Sequence, residues 1–308
     1  MTQPLVSIVI PLYNHSAYVI ECLESVVNDL YPNKEIVILD DGSTDDSITV
    51  VERWEGEGRG KSLHSFRLLR QKNSGVTKTL NRLIALAEGQ FVALLASDDY
   101  LLPGGIQARV DYLQGHPKKQ AVIGDSIVVD KNSKQTHGSG LTELYGGRKK
   151  YLLNEKTISY ELLIHWCAPG PVFMARKELY DLVGGYDETI SVEDWDFYLR
   201  LMGRDLVAFI DVPVAAYRVH PKTYAFDAQR AIVFNQAMMT GITNNIELFK
   251  GLRRIFLWSN ALQYHGKIAR LSGTGKLLGI AQCRLGGIVR SLTKRVYKLS
   301  AGFICKTL

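Results

Sequence analysis

A pair of carboxylates follows an almost wholly apolar segment of this chain. Asp98 and Asp99 come shortly after residues 90–95, a run that is typical of a buried strand. A hard divalent cation prefers oxygen ligands, and carboxylates together with substrate phosphates supply them. The cation would neutralise charge on a leaving diphosphate. Asp is also common in turns, so the pair alone indicates little, but its place after a buried strand favours a metal site.

Asp41 and Tyr13 are two further side chains with a use in ligand binding. Asp41 lies in Asp40-Asp41-Gly42-Ser43, and its carboxylate could accept the imide N–H of a uracil. The ring of Tyr13 could stack on the base. Asp-Gly is equally a strong turn signal. Both residues follow strand-like segments, and this shared placement favours a nucleotide pocket.

The second half of the chain offers an acidic pair and a histidine. Glu193 and Asp194 stand where a predicted helix begins. Acids at that position stabilise the helix dipole, or one of them can act as a general base toward a hydroxyl group. His220 follows a strand-like segment, where it is either a surface histidine or a ligand for metal or phosphate through a neutral imidazole.

Alternating strands and helices position these side chains. The pattern predicts strands at residues 6–10, 34–39, 66–69 and 90–95, and helices at 18–27, 45–52 and 77–87. Such alternation is typical of an α/β fold with a parallel sheet. Ligands bind at the carboxyl ends of the strands in these sheets. The polar segments that follow the strands, residues 11–14, 40–43, 73–75 and 97–99, should therefore meet at one edge.

The later part of the chain is mixed and then helical. Strands are predicted at 121–124 and 207–210, a mobile loop at 131–150, and a helix at 192–201. From about residue 227 the pattern is helical. After residue 275, apolar residues fall on one face of a helix and basic residues on the other. Gly286-Gly287 should bend or break this helix.

Charge is distributed unevenly along the 308 residues, although the net charge is only +6. No acid follows Glu247, whereas twelve of the 37 basic residues do, so residues 1–247 carry 25 basic and 31 acidic groups. A basic amphipathic helix is typical of membrane-surface binding. The complete lack of acids favours this interpretation over a helix that packs on the rest of the chain or on a second subunit. Nucleic acid is a weaker interpretation, because no aromatic platform accompanies the charges.

Targeting signals and cysteines indicate a cytoplasmic protein. The N-terminus lacks the basic segment and cleavage site of a signal peptide. The apolar runs are shorter than the roughly 20 residues that span a bilayer. The four cysteines show no pairing pattern, so free thiols in a reducing compartment are expected. They are Cys22, Cys167, Cys283 and Cys305.

The motifs together resemble family 2 glycosyltransferases with the GT-A fold. The resemblance rests on residues 6–14, 39–47, 73–75, 97–99 and 193–194, and extends over roughly residues 5–221. It implies an α/β, Rossmann-like mixed sheet flanked by helices, with a C-terminal helical extension. The implied domains are a catalytic domain at 1–222, with a nucleotide-binding half (1–125) and an acceptor-binding half (126–222), and a basic helical extension at 223–308.

The resemblance also implies a role for individual residues. Asp194 matches the catalytic base, Asp98 matches the metal-binding aspartate of the DxD motif, and His220 matches a histidine that contacts the metal or diphosphate. Asp99 and Glu193 are supporting residues, and Mn²⁺ or Mg²⁺ is the expected cofactor. The residues expected to bind the nucleotide-sugar are Pro11, Tyr13, Asn14, Asp41, Asn73, Gly75, Lys78, Ser97 and Asp98.

Two positions depart from the family pattern. Ala96 stands where the family commonly has the first aspartate of its motif, so that contribution is lost or supplied by Ser97. Leu80 stands where the family often has an arginine, and Lys78 is the nearby residue that could replace it. These departures bear on donor affinity and donor identity.

The expected function is inverting transfer of a sugar from a UDP-sugar to a hydroxyl of a saccharide or lipid-linked saccharide. The setting implied is bacterial surface polysaccharide synthesis, such as capsule, O-antigen or lipopolysaccharide. We expect a peripheral protein on the inner face of the plasma membrane, bound to anionic lipid, able to form a homo-oligomer and without a nucleic-acid partner. The alternatives are a non-catalytic carbohydrate- or nucleotide-binding module and a nucleotidyltransferase on a related fold.

Overall fold

The computed structural model describes residues 3–168, 170–220 and 227–304, with the backbone alone for 302–304. Cys305 and the expected domain boundary at 222–223 lie outside these residues. The described chain forms two compact units. The first comprises Met1–Lys149, Cys167–Gly185 and Val207–His220. The second comprises Lys150–Trp166, Tyr186–Leu206 and Pro221–Leu308.

The first unit contains one mixed sheet, of nine strands within the described residues. The strands are β1 (Val6–Leu12), β2 (Lys34–Asp40), β3 (Ser65–Arg70), β4 (Phe91–Leu94), β5 (Tyr100–Leu101), β6 (Ala121–Val129), β7 (Gln135–His137), β8 (Phe173–Arg176) and β9 (Val207–Arg218). They lie in the order β3-β2-β1-β4-β8-β6-β9-β5, and β7 pairs with β6. The strands β3, β2, β1 and β4 are parallel, as predicted.

Helices occur in both units. They are α1 (Val19–Asn28), α2 (Ser47–Gly56), α3 (Val76–Leu86), α4 (Gly105–Gly115), α5 (Lys149–Leu152), α6 (Ile158–His165), α7 (Leu179–Val183), α8 (Glu193–Gly203), α9 (Ala228–Asn245), α10 (Gly251–Leu271) and α11 (Lys276–Ile304). In the first unit, α3 packs against β1 and β2, and α4 packs against β6 and β9. None of the helices described is long and apolar enough to cross a membrane.

The strand order creates a crevice at the end of β1. The chain moves outward from β1 to β2 and β3, then returns to place β4 on the other side of β1. Ligands bind outside the carboxyl ends of strands at such a switch point. The segments that follow β1 and β4 contain Tyr13 and Asp98, so the fold brings these two parts of the sequence to one edge.

Strand β1 is longer than the sequence indicated, because it continues through Pro11 to Leu12. Its pairing with β4 extends only to Val9 opposite Leu94, followed by a hydrogen bond from Leu95 N to Val9 O. Pro11 lies beyond this point, and its backbone nitrogen faces the side of β1 on which β4 has already ended. Its missing N–H therefore removes no ladder hydrogen bond, and β1 keeps its pairing with β2.

The second unit is helical and draws on separate parts of the chain. Helix α8 packs on α9, where the indole N–H of the buried Trp195 donates to Met238 O at 3.2 Å. Asn245 of α9 donates to the carboxylate of Asp196 at 2.7 Å. These buried contacts group α8 with the C-terminal helices. The catalytic domain at 1–222 that the resemblance implies stays a prediction.

Residues 131–150 are not one continuous loop. They contain β7, a π-helical turn at Gly140–Leu144 and the first residues of α5. The carboxylate of Asp125 accepts hydrogen bonds from Ser139 Oγ at 2.7 Å and Leu141 N at 3.3 Å. The contacts of this single buried side chain give the segment a local structure that its Gly- and Lys-rich composition does not indicate.

The expected break at Gly286-Gly287 is wrong, because α11 runs through both residues. A Cβ at Gly286 would lie 2.7 Å from Ser259 O, and one at Gly279 would lie 2.8 Å from Gly266 O. The glycines thus allow α11 to approach α10 closely. Packing against α10 outweighs the low helix propensity of the two glycines, about 1 kcal/mol each.

Candidate active site

A cavity of about 450 Å³ lies at the carboxyl ends of the parallel strands. This volume is in the range of small-molecule sites. Six of the residues predicted from the sequence to bind nucleotide-sugar line it together. The lining residues are Pro11, Leu12, Tyr13, His15, Asp41, Asn73, Gly75, Val76, Thr79, Ala96 and Ser97.

Asp41 is buried, and it holds the turn that follows β3. Its Oδ1 accepts hydrogen bonds from Gln71 Nε2 and Ser74 N, both at 2.8 Å, and its Oδ2 accepts one from Gly75 N at 2.9 Å. A carboxylate offers about four acceptor positions. One therefore remains for a donor on a ligand. The ring of Tyr13, 47% exposed, lines the same cavity.

Asn14 and Lys78, which were also predicted to bind the nucleotide-sugar, do not line the cavity. Asn14 adopts a left-handed conformation with φ 53°, and its side-chain oxygen accepts a hydrogen bond from Thr44 N at 2.7 Å. It thereby positions the loop after β2. Lys78 is exposed on the first turn of α3, whereas Val76 and Thr79 of that helix line the cavity.

Asp98 lies within a cluster of two histidines and a serine. Its Oδ2 is 2.8 Å from His220 Nε2, and its Oδ1 is 3.8 Å from His15 Nδ1. His15 Nδ1 also hydrogen-bonds with Ser97 Oγ at 2.8 Å. The structure thus brings together Asp98 and His220, the two residues predicted to hold a metal, and their role as ligands stays a prediction. Because His15 and Ser97 also line the cavity, the cluster adjoins the nucleotide-sized space.

His15 was missed by the sequence analysis. Its imidazole stacks on that of His220, with ring centroids 6.4 Å apart and an interplanar angle of 20°. It follows residues 11–14 directly, so its position after β1 was the available signal. A single histidine there is too common to indicate a site by itself. The contact with Asp98, 83 residues later in the chain, depends on the order of the strands.

The donor atoms of this cluster fit a divalent cation that takes further ligands from its substrate. Two ligand atoms that each lie about 2.1 Å from one cation, at right angles, are roughly 3 Å apart. Asp98 Oδ2 and His220 Nε2 are 2.8 Å apart as hydrogen-bond partners, and a cation bound by both atoms would replace this hydrogen bond. Across the described residues, no three His, Cys, Asp or Glu side chains form a preformed cage. Phosphate oxygens and water would have to supply the rest.

The carboxylate of Asp99 is bound by the protein itself. It is buried, and its Oδ1 accepts a hydrogen bond from Arg218 N at 2.7 Å. Burial, together with the charge of Asp98, raises the pKa of Asp99 well above its usual range. The neighbouring Asp98 is therefore the carboxylate of the pair that faces the histidines.

Arg218 is a second residue that the sequence analysis missed. Its fully buried guanidinium donates to Asp98 O at 2.6 Å, to Asp130 O at 2.9 Å and to Glu21 at 2.6 Å. It also stacks on the ring of Tyr18, 4.7 Å from the centroid. A planar guanidinium with five N–H donors can join several elements at once. Arg218 therefore fixes the backbone of Asp98 relative to β9 and α1.

Replacing Arg218 by Met should lower the free energy of unfolding by about 2–4 kcal/mol. The change leaves the carbonyl groups of Asp98 and Asp130 without their donor in a buried place. Glu21 is partly exposed and can return to water, so the full penalty of an unpaired buried charge does not apply. Denaturant unfolding measures the change.

The matched control is Arg70→Met in the same unit. Arg70 pairs with Glu52, and both side chains are more than half exposed. Exposed pairs contribute less than about 1 kcal/mol. An equal loss of stability in the two variants would contradict the structural role of Arg218.

The acidic pair lies in the second unit, at the start of α8. Asp194 Oδ1 accepts a hydrogen bond from Trp195 N at 2.7 Å. Burial raises the pKa of Asp194, and burial together with the charge of Asp194 raises the pKa of Glu193 to about 7. A helix N-terminus alone would lower these values by stabilising the charged form. Burial therefore outweighs the stabilisation that the backbone N–H groups of this helix start give to the charged forms.

The chain matches the profile of Glycosyl transferase family 2 over residues 7–182, more than half of its length. The chain belongs to this family. Chondroitin synthase of Escherichia coli is 30% identical over 200 residues, which are 64% of this chain and 26% of that protein. This family 2 chain thus spans about a quarter of the length of that relative. An uncharacterized glycosyltransferase of Rickettsia typhi is 24% identical over 79% of this chain and 73% of its own length.

Solved structures share the fold of this family 2 chain. The 1–349 segment of S. aureus TarS in complex with UDP-GlcNAc superimposes with a TM-score of 0.62 and 20% identity, over 91% of this chain and 79% of that one. The mannosyltransferase PcManGT from Pyrobaculum calidifontis, in complex with GDP-Man and Mn²⁺, gives 0.59 and 18%, over 99% and 86%. The predicted GT-A fold is confirmed.

Proposed function

We propose that this family 2 chain transfers a sugar from a UDP-sugar to a hydroxyl of a saccharide or lipid-linked saccharide, with inversion and with a divalent cation. The observation that carries the proposal is the continuity of the cavity lined by Tyr13 and Asp41 with the Asp98–His220 cluster. A nucleoside and its diphosphate need these two environments side by side. The proposed setting is surface polysaccharide synthesis at the cytoplasmic side of a membrane.

In this proposal each side chain has one task. Tyr13 stacks on the base, and the remaining acceptor position of Asp41 takes the uracil imide proton. Asp98 and His220 would hold the cation, which when bound neutralises charge on the departing diphosphate. His15, beside both the cavity and Asp98, lies where it can donate to a phosphate oxygen. Asp194 takes the proton of the acceptor hydroxyl.

Two considerations support UDP and Mn²⁺ as ligands. TarS was solved with UDP-GlcNAc and PcManGT with GDP-Man and Mn²⁺, so proteins of this fold hold nucleotide-sugars and this metal. An imidazole ligand suits a transition metal better than Mg²⁺. Ala96 in the cavity wall is the observation that favours the alternative of a non-catalytic binding module.

A thermal-shift panel of UDP-, GDP- and dTDP-sugars, with and without Mn²⁺, tests the donor assignment. We expect UDP-sugars with Mn²⁺ to raise the melting temperature most, because they would occupy both the base pocket and the cation site. A ligand at about 100 times its Kd stabilises the folded state by about 2.7 kcal/mol. Asp41→Asn should weaken this effect for uridine donors and leave the effect of Mn²⁺ alone unchanged. A preference for GDP-sugars would overturn the uridine assignment.

Product analysis then separates transfer from the alternatives. Free UDP that accumulates with acceptor supports sugar transfer, whereas pyrophosphate indicates a nucleotidyltransferase. Metal-dependent UDP binding without turnover on any acceptor indicates the binding module.

A further inference from the structure

Helices α10 and α11 form an antiparallel hairpin that uses one side of α11. Gly279 and Gly286 face α10 closely, as described above. Further along the helix, Thr293, Tyr297 and Ala301 are buried. The ring of Tyr297 stacks on Tyr160 of α6, with centroids 4.9 Å apart and an interplanar angle of 12°. One side of α11 is therefore packed along its length.

Another side of α11 presents leucines to solvent. Leu278, Leu285, Leu292 and Leu299 recur every seven residues and are 62%, 51%, 55% and 78% exposed. Leu278, Leu285 and Leu292 each lie one residue before a residue of the packed side, so the row is turned from that side by about 100°. We call these four residues the leucine row. Large apolar side chains that recur on one exposed face mark an interaction surface.

Basic residues border the leucine row. The exposed Arg284 and Lys298 directly precede Leu285 and Leu299. Helix α11 contains six basic residues and no acid, and the 61 residues after Glu247 contain twelve and none. A partner for this surface must offer an apolar layer together with negative charge.

We propose that the leucine row and its basic border bind the surface of a membrane that contains anionic lipid. The leucines enter the boundary between headgroups and acyl chains, and the basic side chains contact acidic headgroups. A second copy of the chain is the competing occupant, because seven-residue leucine spacing also suits a coiled coil. Two copies would, however, bring only positive charges to the seam, since α11 has no acid to pair with them. Charge complementarity therefore selects the lipid surface.

Vesicle flotation with the full chain tests the proposal. We expect recovery with phosphatidylcholine vesicles that contain phosphatidylglycerol and little recovery with phosphatidylcholine alone, and added salt should weaken the binding. Lys298→Gln with Arg284→Gln should reduce the partition coefficient about 5-fold per charge. Leu285→Ser with Leu292→Ser should reduce the partition coefficient further, on neutral and on anionic vesicles, because this double change removes apolar contact that does not depend on charge.

Leu30→Ser is the matched control, because Leu30 is a leucine of the first unit that is 87% exposed. All substitutions are at exposed positions, so unchanged melting temperatures verify the fold. Flotation is measured without nucleotide, so failure of the donor assignment leaves the result interpretable. Equal recovery with neutral and anionic vesicles would overturn the proposal. So would the absence of vesicle binding, with a dimer in light scattering that is lost in the leucine variant, since the surface would then bind a second copy.

Discussion

Asp194→Asn is expected to lower kcat by about 10²–10⁴-fold, the usual contribution of a positioned general base. The amide cannot take a proton from the acceptor hydroxyl. Its oxygen can still accept the hydrogen bond from Trp195 N, and the change removes a charge from a half-buried place. The melting temperature should therefore stay the same or rise, which separates loss of chemistry from loss of fold.

The dependence of kcat/KM on pH provides a second measurement. A base works in its ionised form, so activity falls as the pH drops through its pKa. Burial raises the pKa of Asp194 above the usual value for an aspartate. The acidic limb should accordingly lie at a higher pH than an exposed aspartate would give, and it should disappear from the residual activity of Asp194→Asn.

Glu193→Gln is the matched control for this assignment. Glu193 occupies the same helical turn, and its pKa is raised to about 7. A value near neutral pH would also suit a base, so the two variants decide between neighbours. A loss of the expected size in Glu193→Gln, with near wild-type activity in Asp194→Asn, would transfer the role to Glu193.

The strand ends were predictable because their signals are local. Residues 91–95 are apolar because β4 is buried, and the polar segment that follows marks its end. The buried strands β1 and β2 are likewise followed by polar segments, whereas β3 is only partly buried. A parallel sheet then brings these ends to one edge without any further information. The cavity residues Tyr13 and Asp41 were found in this way.

Contacts between distant segments were not predictable. Arg218 is buried because its guanidinium reaches Glu21 and Asp130, and neither residue type nor spacing reveals these partners. His15 lies close to Asp98 because β1 and β4 are neighbours in the sheet. The low propensity of Gly286-Gly287 is a local signal, and close packing on α10 overrides it. Long-range packing therefore decides what the local pattern leaves open.

Asp98→Asn should abolish the Mn²⁺ dependence of UDP binding and lower kcat/KM by about 10²–10³-fold. A cation at a leaving diphosphate contributes several kcal/mol of transition-state stabilisation, and each 1.36 kcal/mol is tenfold in rate. Neither position 96 nor Asp99 can supply a replacement carboxylate. Position 96 is an alanine, and Asp99 is buried with its oxygen bound to Arg218 N.

Calorimetry of UDP binding with and without Mn²⁺ measures the effect of Asp98→Asn. Binding of UDP without metal should change little, because Tyr13 and Asp41, the residues proposed to bind the base, line the neighbouring cavity. Asp46→Asn makes the same change in charge at an exposed position and should behave as wild type. If Asp98→Asn kept the full stabilisation of UDP by Mn²⁺, the cation would have other ligands.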